Sequence, residues 1–66
     1  MKVWINGESM DARAATSIAE LAVAYGLVAH TVLIEHNGIA LHQREWSERS
    51  IQEADRIEFV RVVAGG

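Results

Sequence analysis

The chain contains no cysteine and no proline. Without thiols it has no disulfides, no thiolate metal ligands and no cysteine nucleophile, so its stability rests on packing alone. Without proline, and with no internal repeat or low-complexity tract, nothing divides the 66 residues into parts. A chain of this size builds one hydrophobic core, and half of its residues are hydrophobic, which favours folding over disorder. Lysine occurs once, as Lys2, so chain-building through many lysines is excluded. Basic residues are outnumbered by acidic ones, six to nine, for a formal net charge of −3; that field repels phosphate backbones, and no nucleic acid partner is expected. No apolar run approaches the roughly 20 residues of a membrane span and no charged leader opens the chain. No membrane partner is expected, and a cytoplasmic location follows by default. There is no Ser/His/Asp or Cys/His constellation, so the chain is not expected to be an enzyme. His30, His36 and His42 recur every six residues, a spacing that matches neither an i, i+4 helical pair nor a zinc pattern. They read as partly exposed loop and strand histidines, with no metal site.

What is present is a clear order of short elements. From Met1 to Asn6, Val3 and Ile5 fall on one side of an extended segment, with Lys2, Trp4 and Asn6 on the other. Asn6 and Gly7 suit a tight hairpin turn with positive φ, and Glu8 to Ala12 returns with Met10 inward. Ser17 followed by Glu20 matches a capping box at a helix start. Ile18, Leu21, Ala22 and Tyr25 then form one apolar stripe at helical spacing, which Gly26 ends in the left-handed conformation. Such a helix, about nine residues long, is too short to stand alone and must lie on a sheet. Thr31 to His36, Asn37 with Gly38, and Ile39 to Leu41 repeat the hairpin signal. Arg44, Glu45 and Trp46 suit a short helical turn, with Trp46 closing one end of the core. Ala54 and Asp55 form a turn, where alanine implies a negative φ, before a last strand over Arg56 to Val63. The expected class is α+β: a mixed sheet of four to five strands with one main helix packed on one face, and the first and last strands parallel at its centre. That is the β-grasp, or ubiquitin-like, arrangement, spanning residues 1–66 as one domain.

Beyond the last strand, Ala64, Gly65 and Gly66 carry no capping signal and read as a thin, flexible tail. Fully extended, three residues reach on the order of 10 Å, enough to enter a narrow channel on another protein. Glycine, having no Cβ, lets an enzyme close tightly around such a tail and its carboxylate.

Several of these features together resemble the thiamin-biosynthesis sulfur carriers, bacterial relatives of ubiquitin. Val3, Ile5, Asn6 and Gly7 look like that family's opening strand and turn, Ser17, Glu20 and Leu21 like its capped helix, and Asn37 with Gly38 like its second hairpin. Arg44, Glu45 and Trp46, then Asp55, Arg56 and Ile57, and finally Gly65 with Gly66, follow the family's order and spacing. Family members often carry proline near His42 and glycine near Ala54, two departures that leave the tail untouched. The resemblance implies a sulfur carrier whose Gly66 carboxylate is the working group. An adenylyltransferase of the ubiquitin-activating type would activate it with ATP and Mg²⁺, which belong to that partner. A cysteine desulfurase would supply persulfide sulfur, and thiazole synthase would accept it from a Gly66 thiocarboxylate. The same terminal pair also serves carriers of molybdopterin synthesis and ubiquitin-like protein modifiers, so pathway stays open between them. For partner contact, Trp4, Val60 and Val62 are expected to form an apolar group on the face the helix leaves open, with Arg61 close to the tail.

Overall fold

The computed structural model describes residues 1–62. β1 (Lys2–Ile5) and β2 (Glu8–Asp11) pair antiparallel, with Val3 and Ile5 buried and Lys2 and Trp4 outward. The helix α1 (Ile18–Ala24) follows, then a 3₁₀ turn at Ala29–Thr31, the hairpin of β3 (Val32–His36) and β4 (Ile39–Leu41), a second 3₁₀ turn at Gln43–Glu48, and β5 (Arg56–Arg61). The sheet has five strands in the order β2-β1-β5-β3-β4, with β1 and β5 parallel and the other pairs antiparallel. This is the β-grasp arrangement. Ile18, Leu21 and Ala22 of α1 are buried, and with Val3, Ile34 and Ile57 from the sheet they form the centre of the core. Trp46 closes it from the second 3₁₀ turn, as its size implies.

Local chemistry accounts for the element ends. The Ser17 side chain accepts from the Glu20 N–H at 3.1 Å, as a helix N-cap should. The Glu20 carboxylate, however, takes the N–H and hydroxyl of Thr16 at 2.7 and 2.8 Å, one residue further back than a capping box places it. At the other end, Gly26 has φ +70°; its N–H reaches Val23 O and the Leu27 N–H reaches Ala22 O, the two bonds of a Schellman motif. Arg13, one of two successive residues with left-handed φ before the helix, donates to Ala24 O at 2.9 Å and stacks on the Tyr25 ring.

Both hairpins turn on Asn-Gly with φ positive at each residue, the geometry that matches strand twist. Both asparagines also reach β5, from opposite sides. β1 ends at Ile5, and where it stops the Asn6 amide replaces it: Phe59 N–H donates to Asn6 Oδ1 at 2.8 Å, and Asn6 Nδ2 donates to Phe59 O at 3.3 Å. Asn37 accepts from the Arg56 N–H at 2.8 Å through its side chain and donates its own N–H to Arg56 O at 2.7 Å.

Two expectations are corrected. Ala54 has φ +69°, not a negative value. The turn is the one glycine would form, and alanine is held in it by bonds on both sides: Ala54 N–H to Lys2 O at 2.8 Å and Trp4 N–H to Asp55 O at 2.8 Å. His36 is buried, whereas His30 and His42 are exposed. Its Nδ1 accepts from Arg49 Nε at 3.1 Å; because arginine only donates, the ring proton sits on Nε2 and is given to Asp55 Oδ2 at 2.7 Å. Burial alone would raise the Asp55 carboxyl, but hydrogen bonds from His36, the Gln52 N–H and Asn37 outweigh it and hold the carboxyl below its ordinary range.

Two predictions arise from this frame. Asn6→Gly keeps the turn conformation yet leaves Phe59 without its amide partner, so urea unfolding should show a loss of about 1–2 kcal/mol. An unchanged midpoint would mean the side-chain bonds contribute nothing. A carboxyl whose folded pKa is depressed stabilises the fold above its unfolded value and loses that contribution as pH falls through the folded value. Wild-type unfolding free energy should therefore fall as pH drops from neutral to below the ordinary 3.8 of an aspartate, and Asp55→Asn should be weaker at neutral pH with a shallower decline on acidification.

Candidate partner surface and chain end

β5 carries the chain toward its end between two neighbours. Its parallel register with β1 pairs Trp4 with Arg56 and Ile5 with Ile57, and its antiparallel register with β3 runs from His36 opposite Ile57 to Val32 opposite Arg61. One further bond, from the Val62 N–H to Thr31 O at 2.9 Å, ties the last described residue to the sheet. Ala64, Gly65 and Gly66, the tail on which the chemistry was expected, lie outside the described residues. Four residues follow Val62 in the sequence, and by covalent geometry they span at most about 14 Å.

The expected surface of Trp4, Val60, Val62 and Arg61 is divided by the register. Trp4 is 37% exposed on the open face, beside Ser9 and Arg56, with Lys2 Nζ 5.0 Å from its ring centroid. Val60 lies four residues along β5 from Arg56, too far to touch Trp4, at about 3.3 Å per residue. Its partner is Leu33, directly opposite on β3. Leu33 and Val60 are 59% and 48% exposed, and Val62 is 48% exposed. Arg61 pairs with Val32, a core-facing position, so it stands on the helix side of the sheet and not with the valines. The residue missed in the sequence is Leu33. The signal was there: with Val32, Ile34 and His36 buried, strict alternation turns Leu33 and Glu35 outward.

The open face of β5 therefore reads Arg56, Glu58, Val60, Val62, from a charged end to an apolar end nearest Gly66 in sequence. Among the described residues, no group of three or more His, Asp or Glu is placed to hold a metal ion. The perturbed carboxyls serve structure: hydrogen bonds from the Thr16 N–H and hydroxyl lower Glu20 at the helix start, and Asp55 holds the final turn. No helix is long and apolar enough to cross a membrane among the described residues. Among the described residues the arrangement presents an open sheet face.

Fold and open sheet face define a small ubiquitin-like β-grasp protein. More narrowly, the chain belongs to the ThiS family, whose model matches residues 3–66, through Gly66. The crystal structure of the thiamine biosynthesis protein ThiS from Geobacter metallireducens is 28% identical, covers the whole of both chains and superposes with a TM-score of 0.82. The solution structure of a thiamine biosynthesis protein from the same organism gives 0.79 at 28% identity, over all of this chain and 88% of that one. A thiazole synthase of Magnetococcus marinus is 32% identical over all 66 residues, which span about a fifth (20%) of its length.

Proposed function

We propose that the chain is a sulfur carrier for thiazole formation in thiamin biosynthesis, with the Gly66 carboxylate as its working group. The observation that carries this reading is the family match reaching Gly66, on a body whose last strand is hydrogen-bonded on both sides and ends five residues before Gly66 in the sequence. The carrier is a cosubstrate: its body is recognised while its end is chemically changed, and catalysis belongs to its partners.

A carboxylate resists nucleophiles because its charge is shared by both oxygens. Activation by an adenylyltransferase of the ubiquitin-activating type, using its own ATP and Mg²⁺, joins a Gly66 oxygen to AMP and releases pyrophosphate. A persulfide sulfur, drawn from a cysteine desulfurase, then attacks the acyl carbon and expels AMP, forming an acyl disulfide. A second thiol takes the outer sulfur into a disulfide, and the inner sulfur remains on Gly66 as a thiocarboxylate. That sulfur is the nucleophile offered to thiazole synthase. The Magnetococcus relative supports this partner, since a protein named thiazole synthase contains a segment similar to all of this chain.

Intact-mass measurement of the chain purified from its own cells should reveal a fraction heavier by the difference between sulfur and oxygen. Deletion of Gly66 should abolish that fraction while leaving the thermal midpoint unchanged, because the core that holds the fold together lies within residues 3–59. Recovery of the chain joined to other proteins through isopeptide bonds, with no thiocarboxylate, would instead identify a protein modifier.

A further inference from the structure

The two turns that reach β5 are both Asn-Gly, a pair that carries its own chemical weakness. The glycine amide nitrogen can add to the asparagine Cγ; the Cγ–Nδ2 bond breaks, ammonia leaves and a five-membered succinimide closes. Water then opens either ring carbonyl, giving aspartate or isoaspartate. Glycine favours closure because no Cβ shields its nitrogen or restricts the backbone. Here the nucleophiles are uncrowded. Gly7 and Gly38 each have φ +84° and open space where a Cβ would stand, and among the described residues no acceptor takes the N–H of either. Both asparagines are exposed. What opposes the reaction is the far end of each side chain. Asn6 accepts from the Phe59 N–H at 2.8 Å and donates to Phe59 O at 3.3 Å. Asn37 accepts from the Arg56 N–H at 2.8 Å and donates to Asp55 Oδ1 at 3.1 Å. Each amide is thus held toward β5 or the turn that leads into it, and turning Cγ onto its own glycine nitrogen breaks both of its bonds.

We propose that Asn6 and Asn37 are sites of spontaneous deamidation that β5 guards while it is docked, so that modification falls on chains whose β5 has opened and hinders them from closing again. The consequence follows from what the new group lacks. An amide both donates and accepts, whereas a carboxylate only accepts. At position 37 the product keeps the Arg56 N–H but sets its second oxygen against Asp55 Oδ1, where the amide had donated. Two carboxylates then meet beside buried His36, and like charges so close oppose the fold. At position 6 the second oxygen faces Phe59 O, two acceptors with no proton between them. Isoaspartate adds a methylene to the backbone of a two-residue turn, and turn length sets the register of the strands it joins. Opening therefore becomes irreversible at the step where ammonia is lost. The reaction needs only water and does not involve Gly66, so it is independent of the carrier reading.

The test holds the full wild-type chain warm at mildly alkaline pH, folded in buffer, in sub-denaturing guanidinium chloride and fully unfolded. Peptide mapping by mass spectrometry should find amide-to-acid exchange at both asparagines in the unfolded chain, at a rate at least about tenfold above that of the folded chain. As denaturant rises, deamidation at Asn6 should accelerate in step with hydrogen exchange of the Phe59 N–H, and deamidation at Asn37 with that of the Arg56 N–H. Asn37→Asp, which reproduces one product directly, should melt about 5 °C or more below wild type or fail to fold. Equal rates in the folded and unfolded chains, deamidation that ignores the opening of those two amides, or a wild-type melting point for Asn37→Asp each overturns the proposal.

Discussion

The structure depends on β5 being held at the middle of the sheet. A parallel pair needs a crossover, and here the crossover is the whole body of the domain, from β2 through α1 to the β3–β4 hairpin and the second 3₁₀ turn. Its parallel pairing with β1 covers only two register pairs, Trp4 with Arg56 and Ile5 with Ile57, so that neighbour cannot hold it by length alone. Asn6 and Asn37 supply the difference: each turns its own hairpin with positive φ and also gives its amide to the β5 backbone, at Phe59 and Arg56 respectively. One residue type thus sets two registers at once. A slip of one residue in β5 would break both sets of bonds and turn Ile57 out of the core.

That constraint separates the two faces by purpose. On the helix side, Val3, Ile34 and Ile57 meet Ile18 and Leu21, and His36 is hydrogen-bonded through both ring nitrogens, to Asp55 and Arg49. On the other side no element among the described residues covers the sheet, and Leu33, Val60 and Val62 are exposed there, with Glu35 opposite Glu58. A domain of this size has little core to spare, so leaving apolar surface in water and like charges in register lowers its stability. These features fit the proposal of a protein recognised by its face and altered at its end.

Much of this was legible in the sequence because the local signals agree with one another. The two Asn-Gly turns, the Ser17 cap, the Ile18–Leu21–Ala22 stripe and Gly26 each point to the element that forms, and their order leaves the β-grasp as the packing that buries every stripe. What was not legible depended on register. Trp4 and Val60 both point outward, but only the pairing of Trp4 with Arg56 and of Val60 with Leu33 shows that they belong to different parts of the face. The same pairing puts Arg61, opposite Val32, on the helix side of the sheet. The opposed Glu35 and Glu58 are 23 positions apart in the chain and become neighbours only through strand pairing. Ala54 shows a different gap: its left-handed φ is held by the bond its N–H donates to Lys2 O and by the bond Asp55 O accepts from the Trp4 N–H, contacts that composition does not announce.

The central claim is that one carboxylate, carried at the end of a fixed strand, is the group on which the partners act. ATP–pyrophosphate exchange by the adenylyltransferase measures its activation directly. With the natural chain as substrate, exchange is predicted to proceed, and with a semisynthetic chain whose Gly66 carboxylate is an amide it is predicted to stop, although the body is identical and still binds. Equal exchange with both chains would contradict the account.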